Sequence, residues 1–392
     1  MAGSVILAGA RTPIGKLSGA LGGFKATDLG GFAMKAALDR AGVAPDQVDY
    51  VFMGQVLQAG SGQIAARQAA VNAGIPMTVP ATTVNKVCLS GLNAIFLADL
   101  LIQSGAAEIV VAGGMESMTQ APYLLPGARE GYRLGDKSVV DSMMYDGLFC
   151  AFDQVAMGAG TEKYAASAGL PRGPQDDLAA KSHERASAAI KEGRFAEEIV
   201  PVEVPQRRGD PLVVDTDEGV RPGTTVESLG ALRPAFDKGG NITAGNASQI
   251  SDGGAAVIVT SKDVTERLGT KPLGEIVGYG QVAGPDPSLL TQPSRAINAA
   301  LDSAGKAVGD VDLFELNEAF AAVGLASMSD LGVTDDVVNV NGGAIALGHP
   351  IGMSGTRLAL SMLLELGRRG GGLGAAALCG GGGQGDAILL SV

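Results

Sequence analysis

Two stretches of this chain read alike at a separation of 263 residues. Residues 37–53 are A-L-D-R-A-G-V-A-P-D-Q-V-D-Y-V-F-M, and residues 300–316 are A-L-D-S-A-G-K-A-V-G-D-V-D-L-F-E-L. Each reads as a helix end, an Ala-Gly turn, an acidic loop and a Val-Asp entry into a strand. At nearly the same offset, Ser90-Gly91 opens one apolar helix and Ser354-Gly355 another. Each helix leads to an apolar strand ending in glycines, residues 109–114 and 375–383. An offset held across several elements points to two copies of one α/β unit packed together, against a chance match of Ala-rich helices. The two helix starts are then expected to meet across the interface between the halves.

Between the copies the composition changes. Residues 117–250, about a third of the chain, are enriched in Pro, Arg and charged residues, with 9 of the 18 Pro and 33 of the 70 charged side chains. Residues 176–192 read as an amphipathic helix with a charged outer face, placing His183 in solvent, and residues 206–217 as an exposed hairpin. An inserted lid or binding subdomain belongs here. The expected organisation is a first half over 1–118, completed by about 250–270, an insertion over 119–249 and a second half over 271–392.

The wider composition excludes several classes. With 392 residues, 46% of them hydrophobic, the chain can bury a large core and is not disordered. Asp99 and Glu365 break its best apolar stretches, so no run reaches the roughly 18 residues of a membrane helix. The first residues have no basic segment ahead of an apolar one, so no secretory signal is expected. The net charge is −12 with no basic stripe, a poor match for nucleic acid. An anionic ligand would need a local cluster of positive charge. The three cysteines, Cys88, Cys150 and Cys379, have no paired spacing, and His183 and His349 are the only histidines. A disulfide framework and a zinc cage are therefore not expected, and a reducing cytoplasm fits.

Four segments carry chemistry. In V-N-K-V-C-L-S-G-L-N-A-I, residues 84–95, Cys88 precedes an apolar helix that starts with small residues. The positive end of a helix dipole lowers a thiol's pKa, so a nucleophilic thiolate is expected there rather than an inert buried thiol. In N-G-G-A-I-A-L-G-H-P-I-G-M-S-G-T-R, residues 341–357, His349 lies between glycines at the start of the second copy's helix. Imidazole is the usual base for a Cys thiol, and the duplication should bring His349 towards Cys88. In L-C-G-G-G-G-Q-G-D, residues 378–386, Cys379 ends a strand and enters four glycines, and the duplication sets it opposite Gly113-Gly114. The N–H groups there, including that of Gly381, are free for a ligand oxygen. A phosphate loop is the rival, but there is no G-K-[ST] and no G-x-G-x-x-G between a strand and a helix. In L-N-E-A-F-A-A-V, residues 316–323, Asn317 stands where the first copy has Gly54. Its amide can hold a water or a carbonyl oxygen, or cap a helix. Two separated thiols with one imidazole suit acyl transfer between thioesters with carbon–carbon bond formation.

The same segments resemble the thiolase family, of the acetyl-CoA C-acetyltransferase type, over essentially the whole chain. The resemblance is carried by G-A-R-T-P-I-G-K near the start, G-Q-V-L-Q-A-G-S-G-Q-I-A-A-R-Q-A-A from Gly54, and G-G-M-E-S-M from Gly113. It continues through L-R-P-A-F-D from Leu232, T-A-G-N-A-S from Thr243, N-E-A-F, G-H-P-I-G and C-G-G-G-G. It implies two βαβαβαββ halves in a five-layered α-β-α-β-α sandwich with an inserted loop subdomain. It implies reversible condensation of two acetyl-CoA to acetoacetyl-CoA through a Cys88 thioester, or thiolysis of longer 3-ketoacyl-CoA in fatty-acid or sterol side-chain breakdown. His349 would activate Cys88 and, with a water held by Asn317, form one oxyanion hole; Cys379 would act as acid and base; the N–H groups of Cys88 and Gly381 would form a second hole. Ser248 and Met157 would meet the pantetheine and Arg221 the adenine end, while Leu148, Ala244, Phe236, Ala319 and Phe320 would line the acyl pocket. Coenzyme A is then a substrate, with no tightly bound cofactor and no metal. The resemblance also implies a cytoplasmic homotetramer of lipid and fatty-acid metabolism, joined through residues 120–144.

Departures from the family pattern cluster where coenzyme A and the acyl chain should lie. Ala156 replaces a His before Met157-Gly158, G-T-E at residues 160–162 replaces T-A-E, and Gln249 replaces a Gly. Residues 288–294, S-L-L-T-Q-P-S, replace M-G-x-G-P-x-P-A. A decarboxylating ketoacyl synthase is disfavoured by Cys379 in its glycine run. A non-catalytic thiolase-like binding subunit is disfavoured because Cys88, His349 and Cys379 are all present.

Overall fold

The computed structural model describes residues 4–392. The first half runs β1 (Val5–Arg11), α1 (Ala26–Ala41), β2 (Tyr50–Gly54), α2 (Ala65–Asn72), β3 (Ala81–Val84), α3 (Ser90–Gln103) and β4 (Ile109–Ser117). The insertion follows, with helices α4 (Met157–Ser167) and α5 (Arg172–Lys191), and then β5 (Ser251–Thr260) completes the first half. The second half runs β6 (Gly274–Ala283), α6 (Gln292–Ala304), β7 (Leu313–Leu316), α7 (Ala321–Leu331), α8 (Ser354–Arg368), β8 (Leu373–Gly380) and β9 (Gln384–Ser391).

The halves have the same strand order. In the first, β2 lies between parallel partners β3 and β4, β4 pairs antiparallel with β5, and β5 with β1. In the second, β8 lies between parallel β7 and antiparallel β9, and β9 pairs with β6. A single parallel bridge, Phe314 to Val338, stands where the first half has β3. The two sheets join at one corner, where Val5 pairs with Glu275 and Ile6 with Gly274.

Local sequence explains the repeated helix ends. α1 and α6 both end L-D-x-A-G, and Gly42 and Gly305 both adopt φ 64°. Each glycine N–H returns to carbonyls of the last turn, at Asp39 and Leu38 or at Asp302 and Leu301. Only glycine takes that left-handed cap without strain.

The layers follow from which apolar face each helix buries. α1 and α2 cover the outer face of the first sheet, packing Ala33, Met34 and Ala69 against Val51, Val111 and Ile258. α6 and α7 cover the outer face of the second, packing Ile297, Leu301 and Met328 against Phe314 and Leu389. α3 and α8 are shared, burying Leu92, Ile95, Leu358 and Met362 between strands of both sheets. Because α3 and α8 face apolar strands on two sides, their apolar surface is broad, which explains Ala and Leu nearly all round α3. The result is a five-layered α-β-α-β-α sandwich.

Glycines set how closely the shared helices meet. A Cβ on Gly91 would lie 2.8 Å from Thr356 Oγ1, and one on Gly355 2.4 Å from the Leu92 nitrogen. Thr356 Oγ1 donates to the Gly91 carbonyl at 3.1 Å. The helix starts of the two halves therefore touch backbone to backbone.

The insertion packs on one end of this sandwich. Arg11, at the end of β1, is fully buried and pairs with Glu198 and Asp217, both at 2.7 Å. The expected hairpin is present, with strands Val202–Val204 and Leu212–Val214, so its first strand begins before residue 206. α5 starts four residues before the expected helix, at Arg172; its Pro174 is tolerated in the first turn, where the nitrogen needs no partner. His183 on α5 is not in solvent. It is 3% exposed, and its Nδ1 accepts from the Arg221 N–H at 3.1 Å. The helix packs its His183 face on the core and on the loop carrying Arg221, which a charge pattern alone does not reveal. Among the described residues, no helix is long and apolar enough to cross a membrane.

Candidate active site

Cys88 stands on a sharp bend between β3 and α3. Val87, directly before it, has φ 51°, a strained conformation for a β-branched residue. Hydrogen bonds hold the bend: Asn85 Oδ1 accepts from the Val87 N–H at 3.1 Å, and Ser90 Oγ donates to the Val87 carbonyl at 2.6 Å. Ser90 Oγ also accepts from the Lys86 N–H at 2.8 Å. Lys86 reaches across to the second half, with Nζ 2.7 and 2.9 Å from the two Asp386 oxygens. Asp386 lies opposite Leu378 in the β8–β9 pair, next to the Cys379–Gly385 pair. One ion pair thus ties the two cysteine-bearing segments together.

The glycine run after Cys379 permits close approach. A Cβ on Gly380 would lie 2.6 Å from Leu89, and one on Gly381 3.4 Å from Val87. Cys88 packs against Val56, Leu57, Met118 and Ile351, and Cys379 against Leu289, Leu290, Ala319 and Phe320. The thiols are near enough that charge on Cys88 raises the pKa of Cys379.

His349 is buried, and its tautomer follows from its neighbours. Ser354 Oγ donates to the Pro350 carbonyl at 2.9 Å, so it accepts from His349 Nδ1–H at 2.6 Å. Nε2 then carries the lone pair and accepts from Asn317 Nδ2 at 3.3 Å. Burial, with Arg357 nearby, pushes the imidazole down to about 3, so it is neutral in ordinary buffers. Asn317 is fully buried and its Oδ1 has no protein partner. A buried acceptor left open marks a place for a water or a ligand donor.

The resting state of Cys88 differs from expectation. Burial pushes its thiol up to about 12, and the Glu116 carboxylate adds to the effect. Its own backbone N–H opposes this without prevailing. Desolvation and the Glu116 charge thus favour the thiol over a standing thiolate at the helix start. Cys379 is raised further, by burial and then by Cys88. Both thiols rest protonated, with a neutral imidazole beside them.

A cavity of about 500 Å³ leads to this centre, with His349 and Ile351 in its wall. All eight residues expected to meet coenzyme A or to line the acyl pocket lie in its wall. Leu148, Met157, Phe236 and Ala244 are among them, and so are Ala319, Phe320, Ser248 and Arg221. Phe236 meets Phe320 edge to face, with centroids 6.4 Å apart. A Cβ on Gly158 would lie 2.1 Å from the Phe236 ring, so glycine makes room for that wall. Lys16 joins Arg221 in the lining, giving the acidic chain a local pair of cations.

One detail of the duplication is corrected by the strand register. Gly113 pairs with Met53, and Ala377 with Leu316, so Ala377 is the counterpart of Gly113. Cys379 is therefore the counterpart of Met115, not of Gly113-Gly114; the offset grows by one residue between β7 and β8.

The N-terminal domain model of thiolases matches residues 4–263, and the C-terminal domain model matches residues 270–392. The chain belongs to the thiolase family. A Mycolicibacterium smegmatis protein named "Probable acetyl-CoA acetyltransferase" is 58% identical over 386 residues, 98% of this chain and 100% of that protein. Proteins named "Acetyl-CoA acetyltransferase" from Cupriavidus necator and Pseudomonas aeruginosa are each 51% identical, the first over 98% of both chains. The second match covers 99% of this chain and 98% of that protein.

Three features of this thiolase were not assigned from sequence. Glu116 is fully buried beside Cys88, accepting from the N–H groups of Val56, Leu57 and Gly352 at 3.0, 3.1 and 3.0 Å, and burial raises it to about 7. Its signal was a carboxylate inside an apolar strand, within the quoted G-G-M-E-S-M. Ser354, marked only as a helix start, fixes the His349 tautomer. Gln249, seen as a departure, donates from Nε2 to the carbonyls of Gly219, Ile345 and Ala346, while its own carbonyl accepts from the His349 N–H at 3.1 Å. It links the loop bearing Arg221 to the loop bearing His349.

Proposed function

We propose that this thiolase condenses two acetyl-CoA to acetoacetyl-CoA and CoA, reversibly, through a thioester on Cys88. The observation that carries this reading is that the cavity wall holds His349, which is bonded to Asn317, together with Ile351 of the cluster Cys88 packs on and Ala319 and Phe320 of the cluster that holds Cys379. The names of the full-length relatives agree with it.

The proposed roles are these. His349 Nε2, unprotonated at rest, takes the Cys88 proton as sulfur attacks the thioester carbonyl. Because Cys88 rests as a thiol, ionisation and attack are coupled, and the base must be in place at that moment. CoA leaves as a thiol by taking the proton of Cys379, which leaves Cys379 as a thiolate. Cys379, as thiolate, removes a proton from the methyl of the second acetyl-CoA. The resulting carbon nucleophile attacks the acyl group on Cys88, and Cys88 is released as product forms. A water on Asn317 Oδ1 and the proton gained by His349 Nε2 form one oxyanion hole; N–H groups of Cys88 and Gly381 form the other. Arg221 and Lys16 give the phosphates of coenzyme A a positive mouth, and Ser248 and Met157 flank the pantetheine. The reading needs neither metal nor redox group, since nucleophile, base and acid are side chains. Coenzyme A is a substrate and not a resident cofactor.

We further assign the enzyme to the cytoplasm, to lipid and fatty-acid metabolism, and to a homotetramer joined through residues 120–144. Exposed Tyr123, Leu125, Leu134 and Val139 support that assembly surface.

The test is intact-protein mass after incubation with acetyl-CoA alone, beside Cys88→Ala. One acetyl group on the parent and none on the variant is expected. A parent that turns over acetoacetyl-CoA while an acetyl group accumulates on a residue other than Cys88 would sink the assignment.

A further inference from the structure

His183 on α5 meets the loop that carries Arg221 into the wall of the reaction cavity. Arg221 is exposed, and among the described residues its side chain pairs with no acid. The backbone therefore sets where this cation stands. That backbone is pinned point by point. The Glu218 N–H donates to the Ile14 carbonyl at 3.0 Å, and the Glu218 carboxylate accepts from the N–H groups of Lys16 and Ala20. A Cβ on Gly219 would lie 2.7 Å from the Ala346 carbonyl oxygen, and Val220 packs on the cluster of Ala186, Ala189 and Phe195. Beyond Arg221, Thr224 Oγ1 donates to the Arg221 carbonyl at 2.8 Å. At Arg221 itself the tie is a side chain: its N–H donates to His183 Nδ1 at 3.1 Å. Burial, then the Arg221 charge, pushes the His183 imidazole down to about 4. Nδ1 therefore keeps its lone pair in ordinary buffers, with the ring proton on Nε2.

We propose that His183 is a positioning residue for substrate binding: by accepting the Arg221 N–H it holds that cation where the nucleotide end of coenzyme A meets the cavity. The proposal rests on the thiolase reading above and deepens it. A buried N–H deprived of its acceptor is costly, so without His183 Nδ1 the loop moves until Arg221 N–H finds water. Glu218 and Thr224 still hold the loop on either side. What is lost is the placement of Arg221, not the fold. The neighbouring Ser182 serves the catalytic side of the same helix. Its Oγ donates to Glu318 Oε2 at 2.7 Å and accepts from the Gly343 N–H at 3.0 Å. Those bonds support the segments bearing Asn317 and His349 and do not pass through His183. Loss of the His183 acceptor therefore acts on binding and leaves bond making in place.

The test compares His183→Leu with His183→Asn. The two side chains have nearly the same shape, but only the amide offers an acceptor, at the same remove from the backbone as Nδ1. Thiolysis is measured with acetoacetyl-CoA and CoA, and with acetoacetyl-pantetheine and pantetheine, which lack the nucleotide. Losing the acceptor of one buried N–H depopulates the placed loop roughly tenfold. The expected result for His183→Leu is a roughly tenfold lower kcat/KM on acetoacetyl-CoA, carried by KM, with kcat little changed. The pantetheine pair is expected to be unaffected, and His183→Asn to recover most of the loss. In an Arg221→Ala background, His183→Leu is expected to add almost nothing, because it acts through Arg221. If His183→Leu does not fold by circular dichroism, His183→Ala takes its place with the same expectations. Equal losses on the two substrate pairs overturn the proposal, since they mark a general structural role. So does a His183→Asn as poor as His183→Leu, an undiminished loss in the Arg221→Ala background, or a His183→Leu indistinguishable from the parent. A folded parent that cleaves neither substrate overturns the thiolase reading, and this proposal with it.

Discussion

Lys86→Met removes the cation that ties the Cys88 bend to β9, and its cost depends on pH. Asp386 is about 2% exposed and holds both oxygens on Lys86, with Gln281 a further 3.4 Å contact. Removing one partner of a buried pair costs about 3–5 kcal/mol. The Lys86 side chain is 22% exposed, and Gln281 remains, so about 2–3 kcal/mol is the reasonable figure near pH 8. Burial already holds the Asp386 carboxyl above its usual value, with Lys86 opposing that rise. Without Lys86 it rises further. The folded variant then keeps a proton that the unfolded chain releases above about pH 4. Stability of the variant is therefore greatest in acid and falls as pH climbs through the raised carboxyl value. Near pH 5 only a lost hydrogen bond remains, about 1 kcal/mol. Urea unfolding at pH 5 and pH 8 measures both figures, with Asp386→Asn and the double variant completing the cycle. The double variant is expected to recover part of the loss at pH 8. Equal losses at the two pH values, or a double variant no better than Lys86→Met, would refute the reasoning.

Three further outcomes follow from the site. Ser354→Ala removes the acceptor that fixes His349 Nδ1–H; loss of that bond, about 1.4 kcal/mol, lowers kcat about tenfold with KM for acetyl-CoA little changed. Gly158→Ala forces Phe236 aside; because the ring is 43% exposed it can swing, so steady-state kinetics should show a several-fold rise in KM, while calorimetry shows a small change in melting temperature. Alkylation of Cys88 by iodoacetamide should accelerate tenfold per pH unit from pH 6 to 9, because the thiol is held near 12; a plateau by pH 7, read by peptide mass, would mean that a standing thiolate exists after all.

Most of the architecture was legible because the chain says it twice. The repeated L-D-x-A-G ends are local signals, and the left-handed glycine each demands is met in both copies. Catalytic candidates were legible for a different reason: thiols and imidazoles are so scarce here that Cys88, Cys379 and His349 stand out. Charge states were not legible. The helix start argued for a Cys88 thiolate, but desolvation and the nearby Glu116 carboxylate push the thiol the other way, and neither is visible in the local sequence. His183 failed for a similar reason, since a polar residue on a charged helix can still face inward when a backbone N–H awaits it. Glu116 was invisible as a functional group because a strand sequence does not show which loops return to it. The Cys379 equivalence slipped by one residue because glycine runs give alignment nothing to hold.

The contact between α3 and α8 implies a division of labour. Under the repeat, Cys88 falls on Gly352, His349 on Asn85, Cys379 on Met115 and Asn317 on Gly54. A symmetric pair of halves offers two equivalent reaction centres, yet every reactive group has an inert counterpart. The would-be second centre is filled by backbone: the Gly352 carbonyl is so close to Gly54, Gly91 and Gly114 that a Cβ on any of them would lie within 2.9 Å of it. One centre has become the joint that sets the geometry of the other. Mutations that enlarge those glycines should then behave as catalytic lesions even though no substrate reaches them.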